Sequence, residues 1–198
     1  GLTAAFILGK RHDLGRVAMA PHNLGLTYVG ASLLWIGWLG FNSGSELVAD
    51  GVSALAFINT VLCPAVAALT WMVAEWILFK KPSTLGTASG VLAGLVAITP
   101  ACAFVGPMGA IVIGIAAGLA CLWGVHGFKK LTKIDDSLDV FGVHGIGAIV
   151  GGVLTGVFCD PSLGGTGFKG DWTSIAGQVY GQTMSLVVAM LWSFVVSI

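Results

Sequence analysis

His144 stands inside Asp139-Val-Phe-Gly-Val-His144-Gly-Ile-Gly-Ala-Ile-Val-Gly-Gly, where every residue after Asp139 except the histidine suits the interior of a membrane helix. An ionisable side chain in such a place is costly and is a functional candidate by default. At helical spacing its neighbours are Val140, Gly147, Ala148 and Gly151, so the ring faces a narrow and nearly apolar space. A neutral imidazole there offers one donor and one acceptor nitrogen. The same residue could instead hold two spans together through one interhelical hydrogen bond, and the residue type leaves both readings open.

A second group, Trp38, Phe41 and Ser45, falls on one helix face at i, i+3 and i+7. Aromatic rings attract a cation through their quadrupole, a hydroxyl accepts a hydrogen bond from it, and nearby Glu46 and Asp50 raise the local cation concentration. These residues suit a small cation such as ammonium or a methylated amine. An interfacial aromatic belt is the structural alternative. No Cys, Asp or Glu stands at ligand spacing from His144, so no metal is expected. Cys63, Cys102, Cys121 and Cys159 lie in or beside apolar runs without CxxC spacing and read as buried free thiols.

Both groups need membrane helices to position them. Hydrophobic residues make up 56% of the 198 and charged residues 9%, with mean hydropathy +0.94, which excludes an ordinary soluble domain. The nine basic residues are scattered and form no face for a phosphate backbone, so no nucleic acid is expected. Charge and turn residues divide the chain into spans at 24–45, 52–79, 84–104, 107–128, 138–159 and 173–198, each long enough for the roughly 20-residue crossing. Residues 1–9 are too short to cross and read as the tail of a further span. The expected class is all-α, a single polytopic helical membrane domain that is a fragment of a longer protein.

Positive charges cluster at Lys10, Arg11 and Arg16, at Lys80 and Lys81, and at Lys129, Lys130 and Lys133, which puts those loops and the C-terminal end in the cytoplasm. Glu46 and Asp50, the uncharged 104–107 loop and the 160–171 loop, whose one positive charge is Lys169, then face outward. Glycines at four-residue spacing, such as Gly86, Gly90 and Gly94, let backbones approach closely. Pro64 should bend its span and free a carbonyl for a neighbouring helix or water. Asp135, Asp136 and Asp139 begin the His144 span, where the helix dipole favours acids. Glu75 should snorkel toward the cytoplasmic interface or pair with a neighbour. His12, His22 and His126 are given no chemistry.

Several long motifs in order resemble the ammonium transporter family over the whole chain. They are Pro21-His-Asn-Leu, Leu34-Trp-Ile-Gly-Trp38-Leu-Gly-Phe41-Asn-Ser-Gly-Ser45, Ala54-Leu-Ala-Phe-Ile-Asn-Thr60, Gly94-Leu-Val-Ala-Ile-Thr-Pro-Ala-Cys102, Asp139-Val-Phe-Gly-Val-His144-Gly and Ser162-Leu-Gly-Gly. The context of His144 is more similar to the ammonium transporter branch than to the related Rhesus proteins. The resemblance implies an eleven-span homotrimer with a pore in each subunit, built from inverted repeats with sites near the midplane. This chain would hold the end of span five to most of span eleven.

On that mapping Trp38 and Ser45 belong to an outer ammonium site, and Phe41 is one ring of a gate. His144 is one of two pore histidines, with Val140 and Leu34 as pore lining. The implied function is recruitment of ammonium or methylammonium, deprotonation, and passage of ammonia through a narrow pore, with no cofactor. A PII-type regulatory protein at the cytoplasmic face is the implied partner. Competing readings are an ammonium sensor signalling to a partner and, more distantly, a Rhesus-type channel for ammonia or carbon dioxide. An intramembrane enzyme is disfavoured because no nucleophile or metal cluster accompanies His144.

Overall fold

The computed structural model describes residues 1–12, 14, 16, 17, 19–168 and 173–198. Lys169 and Asp171, counted above in the outward loop, lie outside the described residues. The described residues form helices and no strand, as the composition requires. Helix α1 covers Leu2–Leu8, α2 Leu24–Gly44, α3 Gly51–Phe79, α4 Thr84–Ile98, α5 Pro107–Trp123, α6 Lys129–Thr132, α7 Ile146–Phe158 and α8 Ile175–Val196. The starts are written in the sequence. The side chains of Asn23, Asp50, Ser83 and Ser174 accept from first-turn N–H groups of α2, α3, α4 and α8, and Pro107 opens α5, where no N–H is needed.

Helix α3 forms the centre, packed along α4 and α5, while α2 crosses α3 and α4, and α7 joins α5 and α4 to α8. The fully buried side chains Trp71, Leu95, Ile98 and Ile113 mark this core. Close approach of α3 to α4 depends on Gly94, because a Cβ there would come within 2.5 Å of Pro64 Cα. Only glycine leaves room for that contact. Pro64 cannot donate to the carbonyl of Thr60, and the freed oxygen instead accepts the indole N–H of Trp35 on α2 at 3.0 Å. A neighbouring helix thus satisfies the group that the proline releases.

Helix α4 ends at Ile98 rather than continuing toward 104. Pro100 has no N–H to return to Val96, and the N–H of Thr99 takes that carbonyl in a tightened turn at 3.3 Å. Fifteen residues rise only about 22 Å, short of the roughly 30 Å hydrocarbon thickness. The following turns run through the protein interior, where Asn59 donates to the carbonyls of Cys102 and Val105, both at 2.8 Å. Irregular backbone at such depth requires partners of this kind.

The expected spans 107–128 and 138–159 also contain breaks from α-helical geometry. Helix α5 runs into a π-helical turn at Gly124–Phe128 before α6, and α7 is preceded by another at Phe141–Gly145. The two turns pack backbone to backbone, since a Cβ on Gly124 would lie 2.7 Å from the Gly142 carbonyl oxygen. Phe128 and Phe141 stack beside them with ring centres 5.0 Å apart. Loops expected on one side of a membrane also meet. Arg11 and Asp135 form an ion pair at 3.4 Å, and at the opposite end Thr166 N–H donates to the Phe104 carbonyl at 3.0 Å.

Candidate functional site: a histidine between two cavities

The π-helical turn that carries His144 is held by Asp136. This buried carboxylate accepts from the N–H groups of Val140 at 2.9 Å, Phe141 at 2.8 Å and Gly142 at 3.4 Å. Charge-assisted bonds to a helix start combine capping with the dipole interaction, which is the structural role read for this acidic group. Asp139 adopts φ 56° and forms an ion pair with Lys129 at 2.7 Å. Val143 lies buried behind the histidine, its carbonyl accepting from Cys121 Sγ at 3.4 Å. His144 therefore projects from a fixed backbone.

The imidazole borders two cavities. One, of about 730 Å³, is lined by Leu34, Asn23, Ser89, Asp139 and His144 among others and opens toward the end that carries His22 and Leu138. The second, of about 540 Å³, continues on the other side of His144 and is bounded by Trp38, Val96, Thr99, Pro100 and Leu186, with Gln182 and Ser185 as further polar groups. Among the described residues no hydrogen-bond partner engages the histidine ring, leaving its nitrogens free for a small polar guest. The second cavity has mostly apolar walls, so a bare cation entering it would lose hydration with little replacement.

The sequence-derived residues are distributed unevenly around this passage. Leu34 lines the larger cavity. Trp38 lines the second cavity together with His144 and donates its indole N–H to Thr99 Oγ1 at 2.7 Å. Phe41 meets Trp38 edge-on with ring centres 6.4 Å apart and is 62% exposed, so it presents a free ring face beyond the tryptophan. Ser45, at the end of α2, donates its hydroxyl to the Phe41 carbonyl at 2.5 Å. The structure thus brings Trp38 to His144, with Phe41 next along the helix and Ser45 beyond it.

Val140 is placed differently. It stands immediately before the π-helical turn, and its Cγ1 packs against Gly1, where a Cβ would meet it at 2.7 Å. Ser137, Leu138, Asp139 and Val143 of this stretch line the larger cavity with His144. Asp50 spends one carboxylate oxygen on the N–H groups of Val52 and Ser53, and so caps α3.

Other polar residues were less visible from sequence. Thr60 accepts Asn42 Nδ2 at 3.0 Å and donates to Ala56. Asn59 is fully buried. Their only signal was the occurrence of amide and hydroxyl groups inside an apolar run. Glu75 is buried and accepts from Trp71 Nε1 at 3.1 Å and from the N–H and hydroxyl of Ser83 at 2.6 and 3.0 Å. It pairs with neighbours instead of snorkelling. The four cysteines are buried free thiols, and among the described residues no three His, Cys, Asp or Glu side chains converge as a metal site.

Five of the helical segments, three of them without a charged residue, are long and apolar enough to cross a membrane, and they define a multi-pass membrane protein in which His144 borders two cavities. The family follows from the sequence itself: the model of the Ammonium Transporter Family matches residues 1–198, and the chain belongs to that family. It is 46% identical over 197 residues to the ammonium transporter of Bacillus subtilis strain 168, covering 100% of this chain and 48% of that protein. Ammonium transporter Amt1 of Archaeoglobus fulgidus is 42% identical over 190 residues, covering 96% and 46%.

Solved structures agree. The crystal structure of Saccharomyces cerevisiae Mep2 superimposes with TM-score 0.84 at 36% identity, over 98% of this chain and 47% of that one. A structure named Sensor Amt Protein gives TM-score 0.89 at 30% identity, over 98% and 48%. The chain therefore spans about half the length of the relatives it matches.

Proposed function

We propose that the full-length protein carrying this chain transports ammonium across the cell membrane as ammonia, and that His144 is the group that conducts the guest between the two cavities. The observation that supports this most is the bordering of both cavities by one imidazole with no competing partner among the described residues. Ammonium would be recruited near Ser45 and Phe41 by ring quadrupoles and the charges of Glu46 and Asp50. It would lose its proton before the apolar stretch, because ammonia crosses such walls at far lower desolvation cost than the cation. Inside, the imidazole accepts from or donates to ammonia as either tautomer, while Leu34 and Trp38 keep the passage narrow.

The remaining expectations belong to the same reading. The protein assembles as a homotrimer with one pore per subunit, the basic loops and C-terminal end lie in the cytoplasm, and a PII-type protein acts at that face. The ion pair between loops carrying Arg11 and Asp135 fits a shared side for them. A second reading, an ammonium sensor without substantial flux, is favoured by the likeness to the structure named Sensor Amt Protein. Liposomes containing the full-length protein decide between them. Transport predicts ammonium-dependent uptake with a change of internal pH, whereas ammonium binding without uptake supports the sensor and contradicts transport.

A further inference from the structure

Trp38 borders both the cavity that holds His144 and an apolar hollow formed along α2 by Gly30, Leu33, Leu34, Gly37 and Phe41. Its ring is therefore a partition, and its angle fixes how much space lies beside the histidine. Phe41 meets the ring edge-on on one side, and the aliphatic contacts around it are non-directional. The indole N–H supplies the polar anchor. A buried indole donor seeks an acceptor, and Trp38 finds Thr99 Oγ1 at 2.7 Å.

Thr99 is itself oriented. Its hydroxyl donates to the Leu95 carbonyl at 2.7 Å, which directs an oxygen lone pair to the indole. It sits where Pro100 ends α4, and the turns that follow are tied to α3 by the two hydrogen bonds from Asn59. The acceptor for Trp38 is thus placed by α3 and α4, independently of the helix that carries the tryptophan.

We propose that Thr99 is a positioning residue that sets the size selectivity of the passage, holding the Trp38 indole as a wall beside His144 so that ammonium is favoured over its methylated homologue. The inference rests on the transport reading above. Without the Thr99 oxygen the indole N–H would face an apolar cavity unpaired, and the ring would turn toward the other polar groups there, Gln182 and Ser185, or admit water. Either change widens or reshapes the space beside the imidazole. Thr99→Val preserves the shape of the side chain and removes the acceptor, while Thr99→Ser keeps it.

The test is the ratio of methylammonium to ammonium uptake by full-length protein in liposomes. Thr99→Val should raise the ratio at least about threefold, a part of the roughly 10–200-fold that one methyl is worth in a fitted pocket, and Thr99→Ser should restore it to within about twofold. A merely structural role would lower both uptakes together and leave the ratio unchanged, and that result from folded Thr99→Val protein overturns the proposal. If Thr99→Val does not fold, Trp38→Phe removes the same hydrogen bond from the other side. It must also raise the ratio, and an unchanged ratio contradicts the proposal equally. Wild-type protein without ammonium uptake overturns the transport reading and this inference with it; wild-type uptake with an indifferent Thr99 variant overturns the inference alone.

Discussion

Asp136 is placed to do for His144 what no apolar residue could do at the start of a strained helix. The π-helical turn leaves N–H groups at Val140, Phe141 and Gly142 directed at one buried carboxylate. Asp136→Ala leaves these donors unpaired, and each buried orphan costs about 1–3 kcal/mol. The full-length variant should therefore melt at a lower temperature in detergent than wild type, with Asp136→Asn intermediate because an amide oxygen still accepts. Equal melting temperatures would show that the cap does not hold the turn. The acidic group at this helix start was legible from charge alone. The π-helical register was not, because hydropathy has no period that distinguishes one extra residue.

At the scale of elements, α2 is fastened to α3 beside Pro64 and to the end of α4. Trp35 takes the carbonyl that Pro64 frees, and Trp38 takes the hydroxyl at the end of α4. The freed carbonyl and the helix end become attachment points for one helix. Trp35→Phe should destabilise the protein by about 0.5–1.5 kcal/mol, the net value of one such bond. In a Pro64→Ala background residue 64 regains an N–H able to reach Thr60, so the cost of Trp35→Phe should shrink, giving a coupling in the double-mutant cycle of about 1 kcal/mol. Strict additivity would contradict the link. The carbonyl freed at Pro64 was readable from the proline, and four of the long helices begin at side-chain caps, Asn23, Asp50, Ser83 and Ser174. The end of α4 was hidden because Thr99 to Phe104 is as apolar as a helix, and only the missing N–H of Pro100 betrays it.

For the whole molecule, the clustering of basic residues at one end and the cavity that opens there give the fold a direction. The four cysteines of this chain are buried, so a cysteine placed at Glu46 or Lys81 is read against the labelling of the unsubstituted protein. In intact cells a membrane-impermeant maleimide should label Glu46→Cys, and label Lys81→Cys only after permeabilisation; the reverse pattern would invert the orientation. The motifs around His144, Trp38 and Phe41 announced the family because their order is specific, whereas the sharing of one cavity by Trp38 and His144 depends on how α2 leans on α4, which no linear spacing contains.

The central claim is that His144 conducts ammonia between the two cavities, and replacing it is the most direct measurement. In liposomes with full-length protein, His144→Ala should lower ammonium-driven pH change by about tenfold or more, the effect of roughly 1.4 kcal/mol on the barrier, or admit other monovalent cations that wild type excludes. Folded His144→Ala protein with the wild-type rate and the wild-type ion selectivity would contradict the account.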